Sequence, residues 1–97
     1  MKSSISLALG DVYIEDKIEK EFENDPILEG KIKEVIQKHS EGDWGHIPDE
    51  EKIDNDQRAL SGGQIISAYE VGDEEIIVVT SADRKKTLVG TIDKMIE

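Results

Sequence analysis

Ile65-Ile66-Ser67-Ala68-Tyr69-Glu70-Val71-Gly72-Asp73-Glu74-Glu75-Ile76-Ile77-Val78-Val79-Thr80 is the stretch that decides the fold. Ile65, Ser67, Tyr69 and Val71 alternate with Ile66, Ala68 and Glu70, the period of a strand with two usable faces. Gly72-Asp73 is a tight turn. Ile76-Ile77-Val78-Val79 is an unbroken β-branched run, as expected of a central strand covered on both sides. A second turn over residues 83–86 leads to a third strand over 87–92. Upstream, Ile5, Leu7 and Leu9 alternate with small residues, which predicts a first strand over 4–9. Gly10-Asp11 breaks it, and Val12-Tyr13-Ile14 extends it before the chain turns helical.

Between these strands the period becomes helical. Ile14, Ile18 and Phe22 recur every four residues, predicting a short amphipathic helix up to residue 23. Asn24-Asp25-Pro26 ends it and begins another. Asp25 is suited to cap free amides, and Pro26 fits the first helical position, where its missing N–H has no partner to lose. Leu28, Ile32, Val35, Ile36 and His39 then share one face through Ser40, and Gly42 suits the reversal that follows. Pro48-Asp49-Glu50-Glu51 reads as a third helix start, its acids against the positive end of the dipole. That helix has a weak apolar stripe (Ile53, Gln57, Ala59, Leu60) and stops at Ser61-Gly62-Gly63. The order β-α-α-α-β-β-β predicts a single acidic α+β domain over 1–97. Its expected sheet is antiparallel and three- to four-stranded, with two to three helices packed on one face and the first strand at an edge.

Charge bounds the choice of partner. Twenty-three Asp and Glu against twelve Lys and Arg leave a formal net of -11 on 97 residues. Between Glu41 and Asp56 there are seven carboxylates and one base, Lys52. Such a field repels nucleic acid and anionic membrane and attracts basic protein surfaces. The absence of cysteine removes disulfides, thiolate metal sites and cysteine nucleophiles. The first ten residues have too short an apolar stretch for a signal peptide, so the expectation is a cytoplasmic protein.

No motif specifies an enzyme. Leu60-Ser61-Gly62-Gly63-Gln64 spells the signature of ABC-type ATPases, but that motif works at a helix start and beside a Walker A loop, which this sequence lacks. Here it follows a helix and enters a strand. Ser61, Ser67 and Ser81 sit in no nucleophile-elbow pattern. His39, Asp43 and His46, with Asp49 or Glu50, form a chemically adequate zinc set in an unrecognised spacing. Packing is the preferred reading of His39, so no metal or cofactor is assigned. Trp44, the single tryptophan, reads as a core anchor clamping its glycine-rich turn. Arg84-Lys85-Lys86, the lone basic cluster, reads as a solvent-facing turn.

His39-Ser40-Glu41-Gly42-Asp43-Trp44-Gly45, followed by Asp49-Glu50-Glu51-Lys52, Asn55, Ala59-Leu60, Gly63, Ser67-Ala68-Tyr69, Thr80, Asp83-Arg84 and Thr87, falls in a familiar order. It resembles a group of small uncharacterised bacterial proteins carried by plasmids, phages and other mobile elements. Leu7-Ala8-Leu9-Gly10-Asp11-Val12 is similar too, so the likeness covers most of the chain. It departs at the C-terminus, where such proteins tend to end in a leucine-proline tail. The resemblance implies no reaction. It implies a setting, mobile DNA facing host defence.

Charge and setting together lead to the expectation of a protein-binding inhibitor of a CRISPR effector or restriction enzyme. Asp43, Asp49, Glu50, Glu51, Asp54 and Asp56 are its candidate contact surface, with Trp44 positioning the turn. The expected partner is a basic protein surface, with no direct nucleic acid and no membrane; edge-to-edge pairing into a homodimer is a further option. The alternatives are a small metal-dependent enzyme using His39, Asp43, Asn55, Asp83 and Arg84, and an acidic accessory domain whose charge keeps it soluble.

Overall fold

The computed structural model describes residues 6–91. Its elements are β1 (Asp11–Ile14), α1 (Asp16–Glu21), α2 (Pro26–Ser40), α3 (Asp49–Ser61), β2 (Ile65–Val71), β3 (Glu74–Thr80) and β4 (Lys86–Thr91). The four strands make one sheet in the order β1-β4-β3-β2. β2, β3 and β4 form the expected antiparallel meander, with Ser67 opposite Val78 and Val78 opposite Val89. β1 corrects the expectation of a purely antiparallel sheet. It joins the edge parallel to β4, with Tyr13 opposite Leu88. A parallel neighbour needs a long crossover, and three helices and two strands supply it here.

The first strand also lies later in the chain than alternation predicts. Residues 6–10 are outside the sheet, and residues 4 and 5 lie outside the described range. Leu7 is buried against Trp44 and Ile65, and its amide donates to the carbonyl of Ser40 at 2.8 Å. Its apolar side chain serves the core from a segment that is not a strand. Residue 92, expected in the last strand, is likewise beyond the described residues.

The helix boundaries follow local chemistry. Asp25 caps α2 by accepting from the Leu28 amide at 3.0 Å, directly before Pro26. α3 carries Asp49, Glu50 and Glu51 in its first turn and stops where Gly62 adopts a φ of 98°. All three helices contribute to one side of the sheet. Ile18 of α1 and Ile32 and Val35 of α2 pack on Tyr69, Val71, Ile76, Val78 and Val89. Ala59 of α3 packs with the smaller cluster of Leu7, Trp44 and Ile65.

Candidate functional site

The predicted contact residues lie on the turn after α2 and on α3. Asp43, Asp49, Glu50, Glu51, Asp54 and Asp56 are all exposed, whereas Trp44 is 3% exposed. Trp44 therefore acts from inside, as the clamp of its turn. Its indole N–H donates to Asp56 Oδ1 at 2.8 Å, which pins the turn to α3. The ring stands edge-on to His39, with centroids 5.6 Å apart. The adjoining backbone seals the outer edge of β2: Ala68 donates to the Trp44 carbonyl, and the His46 amide donates to the Ala68 carbonyl at 2.6 Å. Asn55, 2% exposed, continues the seal by donating Nδ2 to the Ile66 carbonyl at 2.8 Å. An edge strand left bare templates pairing with other chains; this one is covered between Ile66 and Ala68.

At about 100° per residue, Asn55, Ala59 and the half-buried Lys52 define the inward side of α3. The acids occupy much of the remaining arc, roughly 220° from Asp56 through Asp49, Glu50 and Asp54 to Glu51. They form a wrapped acidic surface rather than one narrow face. The helix is anchored at its middle, through Asp56 and Asn55, and at its C-terminal end. At the C-terminal end Arg84 donates to the carbonyls of Arg58 at 2.8 Å and Gly63 at 2.7 Å, besides Ser81 at 3.1 Å. This corrects the reading of 84–86 as a solvated basic turn. Lys85 and Lys86 are exposed, but Arg84 is half-buried and holds the helix end to the β3–β4 turn.

His39 is fully buried beneath this region, and both ring nitrogens meet hydroxyls. Nδ1 lies 2.5 Å from Ser67 Oγ and Nε2 lies 2.8 Å from Thr80 Oγ1. The chain of donors fixes the tautomer. Thr87 gives its hydroxyl proton to the Leu9 carbonyl at 2.8 Å, so at the 2.7 Å contact Thr80 donates to Thr87. Thr80 then accepts from Nε2–H, and Ser67 donates to Nδ1. Burial, aided by the charge of Arg84, lowers the imidazole from 6.5 to about 4. A neutral ring fits this arrangement, since Nδ1 must remain an acceptor.

No protein-family model, curated protein or solved structure matches the chain.

The residues considered for an enzyme are dispersed in role. Ser67 is hydrogen-bonded to a histidine, as a nucleophile needs, but it is fully buried and no substrate reaches it. His39 has no free nitrogen for a metal. Asp43 accepts from the Gly45 amide through Oδ1 at 3.2 Å, and its carbonyl accepts from Tyr69 Oη at 2.6 Å. That hydroxyl is buried, and burial is the main cause that pushes its pKa up. Asp83, fully exposed, accepts from Ser81 Oγ and the Lys85 amide, which lower its pKa. Among the described residues, no three His, Asp or Glu converge as a metal site, and no helix is long and apolar enough to cross a membrane. Sequence reasoning missed the Ser67–His39–Thr80–Thr87 chain. Its partners are 28 and 41 residues from His39, and no local spacing signals such a contact.

Proposed function

We propose that this protein binds and inhibits a host nucleic-acid-handling defence enzyme, such as a CRISPR effector or a restriction enzyme. The acidic surface of α3 and its preceding turn occupies the basic surface on which that enzyme holds nucleic acid. The observation that carries this reading is the mounting of the acids. Glu50, Glu51 and Asp54 are exposed and make no ion pair with a described residue, while Trp44, Asn55 and Arg84 fix the helix beneath them. Carboxylates on a fixed scaffold engage a Lys/Arg-lined channel without losing much conformational freedom, and counterions are released as they do when DNA binds. The formal net charge of -11 steers the encounter. The likeness to proteins of mobile elements supplies the biological setting.

The test is retention of proteins from a bacterial lysate on the immobilised protein at about 0.1 and 0.5 M salt, a range over which phosphate-mimicking contacts weaken steeply. Capture of a nucleic-acid enzyme, released by salt and lost on joint Glu50→Lys and Glu51→Lys substitution, is the expected result. Retention that ignores both salt and charge reversal overturns the reading.

A further inference from the structure

Two large apolar side chains of α3 face solvent: Ile53 is 57% and Leu60 88% exposed. The stripe expected to bury this helix is thereby split. Ala59 packs inward with Leu7, Trp44 and Ile65, while Ile53, Gln57 and Leu60 are left outside. At about 100° per residue these three fall within about 60° of one another, on the side of the helix opposite Asn55. Single exposed apolar residues are ordinary, but these two share one line. Their spacing of i, i+4 and i+7, counted through Gln57, is that of a helix that enters a groove. Ile53 and Leu60 stand about 10 Å apart along the axis.

Acids border this ridge on both sides. Asp49 and Asp56 run along one side and Glu50 and Asp54 along the other, each within about 60° of a ridge residue. Asp49, Glu50 and Asp54 form no ion pair with a described residue. Asp56 accepts from Trp44 through Oδ1 and keeps its second oxygen. The two cations of the helix stand clear: Lys52 is half-buried on the inward side, and Arg58 lies about 100° or more around the helix from the ridge. A surface used for its charge alone gains nothing from Ile53 and Leu60, whose exposure to water is unfavourable. Single-stranded nucleic acid combines the same two features, phosphates that meet Lys and Arg and base faces that stack on aromatic side chains.

We propose, resting on the inhibitor reading, that α3 occupies a groove of the target enzyme built for single-stranded nucleic acid, with Lys and Arg on both rims and an aromatic floor. The carboxylates take the places of phosphates, and Ile53 and Leu60 enter the floor where bases stack. Charge complementarity fixes the orientation: two acidic borders require two basic rims, and the ridge between them then points at the floor. An apolar centre inside a polar rim is the ordinary anatomy of a protein interface. A surface that grips only the phosphates of a duplex offers the acids the same cations but gives the two apolar side chains nothing to bury against. Burying both side chains adds to the affinity that the acids supply.

The test compares capture of nucleic-acid enzymes from a bacterial lysate at about 0.1 M salt, quantified by mass spectrometry, on the immobilised wild type and two double variants. One joins Ile53→Gln and Leu60→Gln; the other joins Glu50→Lys and Glu51→Lys. Glutamine suits a helix and keeps the net charge of -11, and circular dichroism confirms folding. The glutamine variant should retain the enzyme about tenfold less than wild type, the loss of an interface anchor. Single-stranded oligothymidylate should displace the enzyme from wild type at a lower nucleotide concentration than a duplex of the same length. Retention that falls on charge reversal but not in the glutamine variant overturns the ridge and leaves the inhibitor reading standing. Displacement by duplex as readily as by single strand does the same. Retention indifferent to charge reversal overturns the inhibitor reading and this one with it, as does a lysate from which wild type retains no nucleic-acid enzyme.

Discussion

Trp44 and Asp56 are twelve residues apart, yet the indole N–H of one reaches the carboxylate of the other at 2.8 Å. This bond joins the turn after α2 to the middle of α3, and so couples the buried core to the acidic surface. One carboxylate of the candidate surface is therefore structural.

Removing that acceptor leaves a buried N–H without a partner. Asp56→Ala is expected to destabilise the fold by about 1–3 kcal/mol, whereas Asp56→Asn keeps an acceptor oxygen and costs less. Urea denaturation compares the two. Intrinsic fluorescence from the single tryptophan reports whether the ring becomes wetter in the alanine variant.

His39 makes stability depend on pH. Its folded pKa of about 4 lies below the ordinary 6.5, so between these values the unfolded chain binds more protons than the folded one. Stability from this group is complete above about pH 6.5 and is lost as pH falls toward 4, by roughly 3 kcal/mol in all. The difference in urea stability between wild type and His39→Gln isolates this slope from the titrating carboxylates. NMR of the ring should show a neutral Nε2–H form still dominant at pH 5.5; a protonated ring there contradicts the hydroxyl chain.

Arg84 adopts a left-handed backbone, φ 62°, while its guanidinium serves three carbonyls. Arg84→Ala should cost about 1.5–3 kcal/mol, as hydrogen bonds to a charged group are lost. Lysine recovers little, because an ammonium lacks the planar fork that spans the separate acceptors. Hydrogen exchange at the last turn of α3 should accelerate in both variants.

Two glycines give opposite predictions. Gly45 has φ 73°, and a Cβ there collides with the Ala68 carbonyl and the Tyr69 ring. Gly45→Ala should destabilise by more than the roughly 1–2 kcal/mol of left-handed strain alone. Gly30 is exposed within α2, with open space around a Cβ. Gly30→Ala should stabilise by about 0.5–1 kcal/mol. Thermal melts of the two variants settle both signs.

The helices and the meander were legible because their signals are local. Asp25-Pro26 announces α2, Pro48 and its following acids announce α3, and Gly72-Asp73 sets the β2–β3 register. The pairing of β1 was not. Whether Tyr13 meets Leu88 in parallel or antiparallel fashion depends on a crossover of more than seventy residues, and alternation is blind to direction. Alternation also misled at Leu7, an apolar side chain that packs into the core from outside the sheet. In the candidate site, exposure of the acids followed from composition. The roles of Asn55 and Arg84 did not, because a lone amide or guanidinium gives no hint of the distant carbonyl it will find.

The inward positions of α3 do the holding, and the outward acids Glu50, Glu51 and Asp54 have no ion-pair partner among the described residues. Helix-compatible substitutions at those three positions consequently cost the scaffold little, about 0.3–1 kcal/mol where a first-turn acid, Glu50 or Glu51, is lost. The outer surface of α3 can therefore be rewritten with other helix-forming residues while the frame beneath it is kept.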